Sequence, residues 1–201
     1  PGGGKTEIAR RVSEHLAEEH SSVYSGYRTT TATADWSTFE TVGGYMPGES
    51  TTDELRFSPG QVLRCFRNDE RQRNDLLIVD EINRSDIDKS FGQLFTLLSG
   101  QAVQLPFTVG GEEVEVIPAE QVGEGRDDHQ YVMPTSWRIF ATMNSYDKTS
   151  LYEMSYAFMR RFAFVHVGVP DEETDDWESL VERYAEAWDL EVDSEVIEVV
   201  A

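Results

Sequence analysis

Two short segments restrict this chain more than anything else in it: Pro1-Gly2-Gly3-Gly4-Lys5-Thr6, and further along Leu76-Leu77-Ile78-Val79-Asp80-Glu81. A glycine-rich turn that opens a helix points successive backbone N–H groups at an anion. The lysine after it is placed to reach the β and γ oxygens of a nucleoside triphosphate, and the threonine hydroxyl to ligate Mg²⁺. The second segment is a continuous apolar run of the kind buried on both faces in a parallel sheet, and it ends in two carboxylates where ligands collect on open α/β sheets. Gly2, Gly3, Gly4, Lys5, Thr6 and Asp80 are the candidate nucleotide-binding residues, with Thr6 and Asp80 the candidate Mg²⁺ ligands.

The complete phosphate-loop pattern G-x-x-x-x-G-K-[ST] needs a glycine five residues before Gly4, and an apolar strand feeds such loops. The 201 residues are therefore expected to be part of a longer protein, short of that first central strand.

Past the loop, Ile8, Val12 and Leu16 predict a helix to about Glu19 with that stripe facing a core. Ser22 to Thr31 reads as a strand. The segment from Asp35 to Pro47 reads as a loop whose aromatic residues anchor the core. Ser58-Pro59-Gly60-Gln61 has the look of a helix start with Ser58 as N-cap, and the run from Asn68 to Asp75 that of a solvated turn. A single helix is expected from Asp86 to Ser99, stopped by Gly100, and then a hairpin turning at Gly110-Gly111. After a polar loop from Glu120 to Gln130, strands are predicted at Trp137 to Met143 and Phe162 to Val169, with a short helix around Tyr152 to Met159 between them. An amphipathic segment through Trp177, Leu180, Val181, Tyr184 and Trp188 opens a helical lid. Strands alternating with helices argue for a three-layer α/β sandwich on a parallel sheet. The expected organisation is a nucleotide-binding core at 1–170 and the beginning of a lid at 171–201.

Adjacent side chains at a strand end diverge, so Asp80 and Glu81 can divide the work: Asp80 beside the metal and Thr6, Glu81 orienting and deprotonating the attacking water. Asn144 follows the next strand at the same sheet edge, where an amide can both accept from and donate to that water. Arg160-Arg161 suits either charge stabilisation on a phosphoryl group or a surface pair neutralising carboxylates.

Composition sets the outer limits. The chain has 38 acidic residues against 17 basic ones, for a formal charge of −21, and Lys5, Lys89 and Lys148 are its lysines. This resembles the proteins of salt-accumulating halophiles and disfavours bulk electrostatic binding of nucleic acid. The sole cysteine, Cys65, reads as a small buried helix residue and fits a reducing cytoplasm. His15, His20, His129 and His166 lack metal-ligand spacing, and no apolar run is long enough to span a bilayer.

With these residues set out, a resemblance is visible. The run from Leu76 to Arg84 resembles the D-E-I-N-R acidic strand of AAA+ ATPases of the McrB and MoxR type. Ala141-Thr142-Met143-Asn144-Ser145-Tyr146-Asp147 is similar to the sensor segment of the McrB branch, and Ala157-Phe158-Met159-Arg160-Arg161-Phe162 to that branch's arginine-finger segment. The resemblance implies Mg²⁺-dependent hydrolysis of ATP, with GTP as the alternative, by a motor or remodelling module. It also implies a homo-oligomeric, usually hexameric, ring with each site between subunits. Lys5, Thr6, Asp80, Glu81 and Asn144 would act from one subunit and Arg160 or Arg161 from its neighbour, while Asp147 would support the sensor segment or the interface. A nuclease or activator subunit is an implied partner, and DNA would be contacted only by regions beyond these residues. A MoxR-like chaperone ATPase and a nucleotide-binding scaffold without useful hydrolysis are the rival functions.

Overall fold

In a computed structural model the described residues are 4–48, 55–68, 71–123, 127–144 and 154–168, with 179 and 183. Helix α1 (Lys5–Glu19) leads to strand β1 (Gly26–Thr31) and a short α2 (Thr38–Thr41). A hairpin of β2 (Gly43–Pro47) and β3 (Leu55–Pro59) precedes α3 (Gln61–Phe66). Then come the two-residue strands β4 (Arg67–Asn68) and β5 (Arg71–Gln72), the central strand β6 (Asp75–Asp80), and helices α4 (Ile87–Phe91) and α5 (Leu94–Leu97). Strands β7 (Val103–Val109), β8 (Glu112–Pro118), β9 (Gln130–Met133) and β10 (Ile139–Ala141) and helix α6 (Tyr156–Met159) complete the set. The chain divides into two compact units, Pro1–Phe164 and Val165–Ala201, and all of these elements lie in the first.

The sheet that carries the chemistry is parallel, in the order β1-β6-β10. Strand β6 is central and has no polar face to offer, as its sequence anticipates: Leu76, Leu77, Ile78 and Val79 are all at most 1% exposed. Leu77 and Val79 join a core with α3, α4, α5 and the β7–β8 hairpin, which includes Phe66, Phe91, Leu94 and Val114. Parallel strands end on one edge, so the residues after β6 and β10 are brought together there.

Several local expectations are corrected. Ile8 and Val12 of α1 are 48% and 41% exposed, and the buried positions are Ala9 and Ser13, small residues that let the helix lie close to the sheet. Ser58 and Pro59 do not open α3; they stay in β3, paired with Gly44 and Gly43. Gly60 is the N-cap instead, where a Cβ would meet the Thr41 carbonyl carbon at 2.6 Å. The helix expected from Asp86 to Ser99 is broken at Gly92-Gln93 into α4 and α5. Residues 163–168 form no strand, and Phe164 and Val165 are 58% and 85% exposed. A strand needs a neighbour for its N–H and C=O groups, and the edge of β10 away from β6 is unpaired among the described residues.

The expected hairpin does form, turning through Gly110 and Gly111 at φ +64° and +92°, the left-handed pair that a two-residue turn requires. Trp36 is a core anchor against Phe91, with ring centroids 6.4 Å apart, whereas Phe39 is 46% exposed. Cys65 is buried in α3, and burial pushes its thiol up to about 12, so it is unreactive in the folded chain.

Asp75, expected in a solvated turn, is the buried first residue of β6. Its carboxylate accepts from Arg28 Nε at 3.0 Å and Arg73 Nη2 at 2.7 Å, and its main-chain oxygen accepts from the buried Trp137 indole at 2.8 Å. Removing the one carboxylate that two guanidiniums share leaves both uncompensated. Asp75→Ala is expected to lower the free energy of unfolding by roughly 3 kcal/mol, the low end of the buried-pair range because each arginine side chain is about a third exposed. Urea denaturation measures this; an unchanged midpoint would contradict it.

Candidate functional site

The site assembles at the C-terminal edge of the parallel sheet. Gly4 caps α1 in the left-handed region at φ 65°, a conformation that favours glycine. Thr6, in the first turn of α1, donates its hydroxyl to Asp80 Oδ1 at 2.6 Å. Two segments 74 residues apart in sequence thus place a hydroxyl and a carboxylate side by side. Hard oxygen donors of this kind suit Mg²⁺, which takes one or two protein oxygens and fills the rest of its shell with water and phosphate.

Glu81 leaves the strand at φ 53° and ψ 42°, the one described non-glycine residue with positive φ. Its side chain accepts from Asn144 Nδ2 at 3.4 Å and pairs with Arg84 at 2.9 Å. Asn144 is held in turn, its main-chain oxygen accepting from Asn83 Nδ2 at 3.3 Å. Gly4, Lys5, Thr6, Asp80, Glu81 and Asn144 line one cleft of about 410 Å³, together with Glu7, Arg10, Thr29 and Thr142. Arg10 and Arg11 hold the Glu7 carboxyl down at about 2, so this acidic member of the first turn meets a ligand already neutralised by its own helix.

Arg160 and Arg161 stand apart from that cleft, and from each other in role. Phe158 packs against Phe91 and Phe95 with centroids 6.0 and 5.8 Å away, and Ser155 caps α6 and donates to Asp88 at 2.7 Å, which fixes the helix on α4 and α5. Arg161 turns inward, bonding the Ala157 carbonyl, the Phe95 carbonyl at 3.3 Å and the Ser99 hydroxyl at 2.6 Å, with its guanidinium 5.4 Å from the Phe95 ring centroid. Arg160 is exposed; its backbone N–H donates to the Tyr156 carbonyl at 3.2 Å, and its side chain makes no hydrogen bond or ion pair among the described residues. Gly2, Gly3 and Asp147 lie outside the described residues.

Sequence reasoning assigned no role to Thr142, Arg84 or Arg10. Thr142 lies within the segment that resembles a sensor, and the neighbours of its hydroxyl depend on the pairing of β10 with β6.

A glycine-capped helix start set against an acidic strand end on a parallel sheet is the arrangement of the P-loop nucleotide-hydrolase class. Within it, the model of the AAA domain, dynein-related subfamily, matches residues 1–162, and the chain belongs to that family. It is an AAA+ ATPase domain; such domains use a nucleotide and Mg²⁺, and many assemble as rings. Among characterised proteins the chain is similar to the EcoKMcrB subunit of the type IV methyl-directed restriction enzyme of Escherichia coli K12, at 25% identity over 83% of this chain. It is also similar to component YdiS of the type II restriction enzyme BsuMI of Bacillus subtilis 168, at 30% identity over 57% of this chain. The chain spans 33% of the length of each of these relatives. A solved protein structure from Cytophaga hutchinsonii overlays with a TM-score of 0.48 at 16% identity, covering 84% of this chain and 40% of its own, too distant to add to the argument. No described helix is long and apolar enough to cross a membrane.

Proposed function

We propose that this domain binds and hydrolyses a nucleoside triphosphate, ATP in preference to GTP, as the motor of a McrB-like restriction-type assembly. The observation that carries the reading is the Thr6–Asp80 pair at 2.6 Å, with Glu81 and Asn144 within the same cleft. Thr6 and Asp80 would hold Mg²⁺, which when bound withdraws charge from the phosphate oxygens. Lys5 and the backbone N–H groups at the start of α1 bind the β and γ phosphates. Glu81 takes the proton of the attacking water, and Asn144, bonded to that carboxylate, orients it. Arg160, exposed on an α6 that Arg161 clamps in place, serves the site of the neighbouring subunit in a hexameric ring.

Two relatives described as restriction-enzyme components support a partner subunit, a nuclease or an activator, with DNA engaged by other parts of the protein. The same reading takes 1–170 as the nucleotide-binding core and 171–201 as the beginning of a helical lid, and the acidic composition suits the salt-rich cytoplasm of a halophile. Lys5→Ala tests binding directly. In the full-length protein it is expected to weaken affinity for a fluorescent ATP analogue by roughly 100-fold, the effect of removing a charge-assisted phosphate contact. Unchanged affinity would overturn the site.

A further inference from the structure

We infer that Thr142 is a positioning residue that sets both acidic groups of the site with one hydroxyl; this rests on the hydrolase reading above. Thr142 is 7% exposed and follows β10 directly. Its backbone is fixed from both sides: its N–H donates to the Val79 carbonyl at 3.0 Å, and its carbonyl accepts from Ile82 N–H at 3.0 Å. The side chain is thereby carried to the point where β6 ends. There its hydroxyl donates to Asp80 Oδ1 at 2.5 Å and accepts from the Glu81 backbone N–H at 3.1 Å.

Each of those bonds answers a specific need. Glu81 sits in the left-handed region, where its N–H has left the strand ladder, and an unpaired amide in a half-buried position is costly. The Thr142 oxygen satisfies that amide and so stabilises the backbone turn that aims the Glu81 side chain into the cleft. Asp80 Oδ1 takes two hydroxyl donors, Thr6 and Thr142, and Oδ2 takes no hydrogen bond among the described residues. Thr6 is the residue placed to ligate a metal. A Thr6 oxygen that ligates Mg²⁺ through a lone pair can keep its O–H on Asp80, so the two hydroxyls share the hold on the carboxylate. One hydroxyl can do this because it carries one donor and two acceptor sites, whereas valine has the same shape and neither.

The test compares Thr142→Val and Thr142→Ser in the full-length protein. It measures phosphate release and affinity for a fluorescent ATP analogue, the latter with Mg²⁺ and with EDTA, and checks folding by thermal melting. The valine variant is expected to lose roughly 10- to 100-fold in kcat with KM within a few-fold of wild type, the scale of one lost hydrogen bond to a charged group. It should also lose much of the tightening that Mg²⁺ confers on nucleotide binding, and serine should restore both. Should valine prevent folding, Thr142→Ala carries the same comparison. Wild-type kcat and Mg²⁺ dependence in the valine variant, or a serine variant as impaired as valine, would overturn the positioning role. A wild-type protein that binds nucleotide with Mg²⁺-dependent tightening but does not hydrolyse it would defeat the hydrolase reading; loss of that tightening in valine and its return in serine would still support the hold on Asp80.

Discussion

Replacing Glu81 by glutamine is expected to reduce phosphate release by roughly a thousandfold while nucleotide affinity stays within a few-fold of wild type, because general-base contributions are of this size and the change removes only the base. The amide keeps the shape of the carboxylate, and its one oxygen can still accept from Asn144 or from Arg84, which contact different oxygens of the carboxylate. It cannot take a proton. Thr6, Asp80 and Lys5, the groups assigned to metal and phosphates, are untouched, so binding is retained. Turnover and affinity measured on the same preparation separate the two effects. A glutamine variant that hydrolyses at the wild-type rate would remove Glu81 from the role of base, and one that fails to bind would show a site disturbed as a whole.

Arg160→Ala is expected to cost roughly a thousandfold or more in turnover, the scale set by arginine fingers in related phosphoryl transfer, again with binding preserved. Arg161→Ala should behave differently. Its guanidinium ties α6 to the end of α5 through Phe95 and Ser99, so its loss should show first as a lowered melting temperature. The action across subunits has its own signature. Mixed rings of Arg160→Ala and Glu81→Gln, each inactive alone, contain interfaces where an intact Glu81 faces an intact Arg160, and these should recover activity. No recovery on mixing, or an Arg161 variant that loses turnover with unaltered stability, would contradict the assignment.

Much of the site's framework was legible in the sequence because it rests on local rules. The run Leu76 to Val79 fits a doubly buried strand and Gly4-Lys5-Thr6 a helix start, and the structure places Thr6 and Asp80 at one sheet edge. The Gly110-Gly111 turn was equally local. What escaped was set by tertiary packing. The face of α1 was misjudged because hydrophobicity favours Ile8 and Val12, while the sheet selects Ala9 and Ser13 for close approach. Ser58-Pro59 has every mark of a helix start, yet its pairing with β2 keeps it in a strand. The strands β2 and β9 left little periodic signal, and β9 is defined by its parallel pairing with β8. The burial of Asp75 depends on two arginines, Arg28 being distant in sequence. Phe162 to Val169 has strand composition, but composition supplies no partner edge. The distinction between Arg160 and Arg161 is invisible in a dipeptide and plain in the packing of α6.

The measurement that bears most directly on the central claim is steady-state phosphate release by the full-length protein in molar KCl, with ATP and with GTP, each with Mg²⁺ and with EDTA. Turnover that requires Mg²⁺ and is faster with ATP is the predicted result. Tight binding of both nucleotides with no Mg²⁺-dependent release of phosphate, in the presence of its partner subunit, would contradict it.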